Sequence, residues 1–138
     1  MITLITGTKG SGKTKKLIDL IDEAYKKSEG YVVCVEKGED LRHSVNINVR
    51  LVSADHYDIG GYDAFYGLLA GLCAGNHDVT DILVDATLRI GSRDYAELGA
   101  FLKKVNALSE DSKVKFTFTV STESENIPAE ALDFCELK

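Results

Sequence analysis

The chain has 138 residues, which is one domain's worth and enough to bury roughly two-thirds of the unfolded surface. Hydrophobic residues make up 44%, charged residues 28%, and mean hydropathy is −0.07, a composition that excludes intrinsic disorder. With 16 basic residues against 22 acidic ones the net charge is −6, which argues against general binding of nucleic acid or anionic membranes.

Five apolar runs alternate with helical patterns. Ile2 to Thr6 is a short β-rich run that ends at Gly7. From Lys13 onward Leu17, Leu20, Ile21, Ala24 and Tyr25 recur at helical spacing, and Gly30 stands where a left-handed cap is expected. Tyr31 to Val35 is a continuous apolar strand of the kind buried in a parallel sheet. The polar stretch 37–48 reads as a loop or short helix, and a weaker strand is expected at Val49–Ser53.

Phe65, Leu68, Leu69, Leu72 and Cys73 fall on one helical stripe. Ile82-Leu83-Val84 is another strand, closed by Asp85. A helix from about Asp94 carries Leu98, Phe101, Leu102, Val105 and Leu108, and Val114–Val120 alternates with period two. Pro128 suits the first turn of a short final helix through Phe134. Strands alternating with helices predict a three-layer α/β/α domain over 1–138, built on a mostly parallel five-stranded sheet.

No apolar run approaches the roughly 18 residues of a membrane helix, and no signal-peptide pattern follows Met1, so the expected location is the cytoplasm. Cys34, Cys73 and Cys135 are far apart and form no CxxC pair, which points to three reduced thiols rather than a disulfide or zinc framework.

One motif carries the chemistry. Gly7-Thr8-Lys9-Gly10-Ser11-Gly12-Lys13-Thr14 fits G-x-x-x-x-G-K-[ST], between a β-run and a helix. Average residue usage would produce that pattern in a chain this long about once in a few hundred. A triphosphate needs many donors within a few ångströms, and consecutive N–H groups converge only where side chains stay away. Gly7, Gly10 and Gly12 permit this, and the helix start adds orphan N–H groups and partial positive charge. Lys13 is expected to reach the β- and γ-phosphates of ATP, with the Thr14 hydroxyl on Mg²⁺.

Asp85, at a strand end, is the candidate acid on the Mg²⁺ side. Ala86 follows it, so a water-orienting base must come from elsewhere. Glu36 closes the second strand on the same sheet edge and is the first candidate, with Glu39 next. Thr119, Ser121 and Thr122 offer hydroxyls at that edge for sensing the γ-phosphate.

The phosphate loop, Glu36 and Asp85 together resemble the RecA-like branch of P-loop NTPases, over about residues 1–122. In that branch the catalytic glutamate commonly closes the strand after the loop helix. A polar residue on the strand following the acid-tipped one reads the γ-phosphate. Val33-Cys34-Val35-Glu36 and Ile82-Leu83-Val84-Asp85 match those positions, and Ser121 or Thr122 matches the third. The resemblance implies a sheet in which the Val114–Val120 strand separates the Ile2–Thr6 strand from the Asp85 strand. Full RecA-like motors carry further strands and DNA-binding loops beyond the matched segments, so the resemblance implies a minimal core here. Such enzymes often borrow an arginine or lysine from a neighbour, which implies a homo-oligomer or another protein partner. Arg89 and Arg93 are the candidates here, in cis or in trans.

The expected function is Mg-ATP binding with slow or partner-activated hydrolysis by Lys13 and Glu36. A thymidine-kinase-like nucleoside or nucleotide kinase is the alternative enzyme, and a non-hydrolysing, nucleotide-gated binding module is the alternative without chemistry. Asp58-Ile59-Gly60-Gly61 fits D-x-x-G, but no N-K-x-D motif accompanies it, so ATP is preferred over GTP.

Overall fold

The computed structural model describes residues 1–138 and gathers the five apolar runs into one sheet. They are β1 (Ile2–Thr6), β2 (Tyr31–Glu36), β3 (Arg50–Ser53), β4 (Val79–Val84) and β5 (Lys115–Val120). A sixth strand, β6 (Cys135–Leu137), pairs with β1, and every pairing is parallel. The five-stranded, mostly parallel expectation is thus corrected to six strands, all parallel. The extra strand also displaces the expected final helix. Pro128 leads into a 3₁₀ turn, Ala129–Asp133, and the chain then extends along β1. Three residues of mixed polarity carry no periodic signal. Their position is set by backbone hydrogen bonds such as Lys138 N–H to the Leu4 carbonyl at 2.8 Å.

The strand order is β3-β2-β4-β5-β1-β6, so β5 lies between β1 and β4 as the resemblance implies. Strand alternation sends side chains to two cores. Helix α1 (Lys13–Lys27) covers one face, where Leu17 and Ile21 pack on Ile5, Cys34 and Leu83. Helices α2 (Tyr62–Gly75), α3 (Thr87–Ile90) and α4 (Tyr95–Ser112) cover the other, on Ile2, Leu4, Val33, Ile82 and Phe116. Phe65 and Phe101 stack there at 4.7 Å between ring centroids, with Phe118 edge-on to both.

That two-sided burial explains β5. Phe116 and Phe118 serve the larger core, while Thr117 and Thr119 fall on the α1 side, where the sheet meets the glycine loop. Cys34 and Cys73 are buried and Cys135 is half-buried, all as free thiols. Gly30 is needed for space rather than for a left-handed cap. Helix α1 ends at Ser28 in extended conformation, and a Cβ on Gly30 would run into the Asp78 carbonyl. No helix is long and apolar enough to cross a membrane.

Candidate functional site

The carboxyl ends of β1, β4 and β5 converge beside the start of α1. Between β1 and α1 the chain turns through Gly7, Gly10 and Gly12, all at positive φ (145°, 85° and 91°). Such angles are costly for any residue with a Cβ. At Gly7 space is restricted as well, because a Cβ there would strike the Ser11 side chain. The loop is anchored from β5's end, where Gly7 N–H donates to the Thr122 carbonyl at 2.8 Å.

Helix α1 then begins with no side-chain cap and no acidic residue in its first turn. The contrast with α4 is informative. There Asp94 accepts from Glu97 N–H, and Glu97 adds negative charge to the first turn. A helix start left uncapped keeps its N–H groups and partial positive charge available to an outside anion.

Three side chains from separate elements meet here. Thr14 Oγ1 donates to Asp85 Oδ2 at 3.3 Å, and Thr119 Oγ1 donates to Asp85 Oδ1 at 2.6 Å. Thr119 Oγ1 in turn accepts from Ala86 N–H at 2.9 Å, which fixes the chain immediately after Asp85. Asp85 is therefore held in a single orientation, toward the first turn of α1. Lys13 is buried (8% exposed), and its ammonium donates to the Thr8 carbonyl at 2.7 Å. Burial lowers its pKa, while the Asp85 charge pulls the other way.

These groups line a cavity of about 760 Å³. Lys9, Gly10, Gly12, Lys13, Thr14 and Lys15 line it from the glycine loop and the start of α1, together with Asp85, Ala86, Arg89, Arg93 and Ser121 from the segments that follow β4 and β5. Five cationic side chains thus surround one carboxylate, in a protein whose net charge is −6. Helix α3 carries Arg89 to the cavity, and Arg93 follows three residues past its end. Ala86 adopts a left-handed conformation, φ 63°, and Thr87, Leu88 and Ile90 then bury, leaving Arg89 outside. No cluster of three or more His, Cys, Asp or Glu side chains capable of enclosing a metal occurs in the chain. Thr14 and Asp85 nevertheless present two hard oxygen donors side by side. That suits Mg²⁺, which commonly takes one or two protein oxygens and completes its shell with phosphates and water.

Glu36 is elsewhere. The β2–β4 register ends at Val35 opposite Val84, and Asp85 N–H donates to the Val35 carbonyl, so Glu36 and Asp85 close adjacent strands. Yet Glu36 does not line the cavity of Lys13. It is buried (3% exposed), and its Oε1 accepts from Asp40 N–H at 2.8 Å and Leu41 N–H at 3.1 Å, tying down the loop after β2. Desolvation raises its pKa, the two amides oppose that, and the Asp40 and Asp85 charges add to it. Oε2 forms no hydrogen bond within the chain. Glu39 is exposed and shares with Glu36 a separate cavity beside β3.

Of the three candidate hydroxyls, only Ser121 lines the Lys13 cavity. Thr119 holds Asp85, and Thr122 is taken up by the Tyr95 hydroxyl at 2.7 Å and Asn126 at 3.0 Å. The D-x-x-G segment lies apart: Gly60 and Gly61 border a different cavity, against α4. Sequence reasoning missed Lys15 as a lining residue and the clamp that Thr119 places on Asp85. Period-two alternation in β5 was the available signal for Thr119, since it puts that threonine on the α1 face. A scan against protein-family models finds no match to this chain, and no curated protein matches it.

Proposed function

We propose that this chain binds Mg²⁺-complexed ATP on the Gly7–Thr14 loop and hydrolyses it slowly, as a minimal RecA-like P-loop ATPase. The observation that carries the reading is the uncapped start of α1, set beside a Thr14–Asp85 pair and a buried lysine. Of the three helices longer than one turn, α1 alone starts with neither a side-chain cap nor an acidic residue in its first turn: Asp94 caps α4, and Asp63 stands in the first turn of α2. The cationic excess in the cavity supports the same conclusion, because it opposes the charge of the whole protein.

In this reading the loop amides and Lys13 bind the β- and γ-phosphates, the lysine exchanging the Thr8 carbonyl for phosphate oxygen. Thr14 and Asp85 would hold Mg²⁺, whose contribution is to offset charge on the β- and γ-oxygens. Thr119 keeps Asp85 aimed at that position. Glu36, anchored through Oε1, keeps Oε2 for orienting a water, and its raised pKa makes it a better base than an exposed glutamate. Glu36 stands outside the cavity, so unaided hydrolysis is slow and a partner or a second copy would accelerate it.

Steady-state ATP consumption with Mg²⁺ over a range of protein concentrations tests this, with Lys13→Ala as the blank and calorimetry for binding. Turnover that vanishes in the blank and rises per subunit with concentration fits an oligomeric ATPase. Absence of Lys13-dependent ATP binding would overturn the proposal. A kinase is the second reading, and one observation favours it: the cavity holds no carboxylate besides Asp85 to activate water.

A further inference from the structure

We propose that Arg89 and Arg93 bind a phosphate monoester and present it to the nucleotide as a phosphoryl acceptor. This rests on the nucleotide-binding reading above and names the second substrate of the same site. Arg89 and Arg93 line the same cavity as Lys13 and the α1 start, on the chain segment that follows Asp85 rather than on the glycine loop. The four ion pairs of the structure involve neither arginine, and neither guanidinium makes a hydrogen bond within the chain. Lys15, by comparison, is paired with Asp19 at 3.8 Å. Two guanidiniums free of carboxylates, in an acidic protein and lining a shared cavity, match a dianion. Their planar forks suit the oxygens of a phosphate.

A hydroxyl acceptor, or water, must lose a proton to attack phosphorus, and this cavity supplies no free base. Asp85, the one carboxylate of the cavity, has both oxygens engaged by Thr14 and Thr119. An acceptor whose attacking atom is already an oxyanion needs no base. In the transfer, an acceptor phosphate oxygen forms a bond to the γ-phosphorus as the bond to the β–γ bridging oxygen breaks. The electron pair leaves with ADP. ATP⁴⁻ and a monoester dianion become two species of charge −3, so charge balances and no proton moves. The positive cavity counters the repulsion between two anions, the main obstacle to such a reaction.

The test measures ADP formation by the full chain with Mg-ATP, alone and with a panel of probes: the common ribo- and deoxyribonucleoside monophosphates, glycerol 3-phosphate and inorganic phosphate. Phosphorus NMR identifies any new diphosphate linkage. The expected result is ADP formation above the acceptor-free rate for at least one monoester, with a matching diphosphate signal. Combined Arg89→Ala and Arg93→Ala substitution is expected to raise the acceptor KM by about tenfold or more, a larger effect than on nucleotide affinity. Both arginines are exposed, so folding should survive. Combined Arg89→Lys and Arg93→Lys substitution, which keeps the charge and loses the fork, should fall between.

Mg-ATP binding that depends on Lys13, with no monoester raising ADP formation, would overturn this inference and leave the nucleotide reading standing. Equal loss of acceptor-free and acceptor-dependent rates in the alanine variant would also overturn it, making the arginines stabilisers of the γ-phosphate. Failure of Mg-ATP to bind at all would overturn both.

Discussion

Glu36 offers the sharpest test, because one oxygen holds a loop and the other is assigned to water. Oε1 alone accepts both amide hydrogen bonds, from Asp40 and Leu41. The carbonyl of a glutamine can take over both, so Glu36→Gln should keep the loop and lose only the basic oxygen. Glu36→Ala removes the acceptor and leaves two N–H groups unpaired, the one on Leu41 in a buried setting. At about 1–3 kcal/mol for each such group, less for the more exposed Asp40, the cost is about 2–4 kcal/mol. For a chain of this size that lowers Tm by roughly 6–12 °C. Urea and thermal melts should therefore separate the two variants. ATP turnover should fall about 100-fold in both, with nucleotide affinity retained in Glu36→Gln. pH supplies a further check. Burial raises the Glu36 pKa from its ordinary 4.5, so the folded chain holds this proton more tightly than the unfolded one. As pH rises from 4.5 through the folded value, the wild type should lose stability relative to Glu36→Gln, and the gap should then stay constant. If Glu36→Gln hydrolyses ATP at the wild-type rate, the water-orienting role is wrong. If Glu36→Ala melts with the wild type, the loop-holding role is wrong.

Other substitutions address the remaining contacts. Lys13→Ala should weaken Mg-ATP binding by about 10- to 100-fold, the value of a charge-assisted contact to phosphate, as read by calorimetry. Thr119→Val should cost about 1–3 kcal/mol in urea unfolding, since it strips Ala86 N–H of its acceptor and frees Asp85 Oδ1. The same variant should need more Mg²⁺ for half-maximal ATP binding; an unchanged Mg²⁺ requirement would show that Asp85 needs no clamp. Thr87 is fully buried, and its hydroxyl has no partner, so Thr87→Val should leave stability equal or raise it by about 1 kcal/mol. Gly30→Ala should destabilise by about 2 kcal/mol or more, because the added methyl meets the rigid backbone carbonyl of Asp78. A near-neutral result there would remove the steric explanation.

What could be read in the sequence divides along a physical line. The loop was legible because its backbone demands particular residue types at fixed offsets: glycines at positive φ, then a lysine and a threonine on the first turn of a helix. Placing Glu36 and Asp85 on one sheet edge needed only strand ends and parallel direction. Their partners needed more. That Glu36 turns to the amides of Asp40 and Leu41 depends on the path of a turn-rich loop with no periodicity of its own. That Thr119 meets Asp85 depends on β5 being placed beside β4, a pairing across more than 30 residues of intervening chain that no local pattern encodes.

Arg89 and Arg93 show the same limit from the other side. Arg89 lies on α3, four residues long and thus shorter than any helical repeat a sequence can display, and Arg93 lies just beyond it. The turn that launches α3 is a left-handed alanine, a conformation that residue type does not announce. Tertiary contacts enforce it: Ala86 N–H is claimed by Thr119, and the Ile90 carbonyl accepts from Gly61 N–H at 2.8 Å. The contacts that hold Asp85 at the start of α1 therefore also aim the segment bearing Arg89 and Arg93 into the same cavity. The Thr14–Asp85 pair and the segment bearing Arg89 and Arg93 are coupled through one threonine, so Thr119→Val should disturb both at once. An increased Mg²⁺ requirement together with a raised acceptor KM in that variant would reveal the coupling, whereas a change in only one of the two would show that the two segments are set independently.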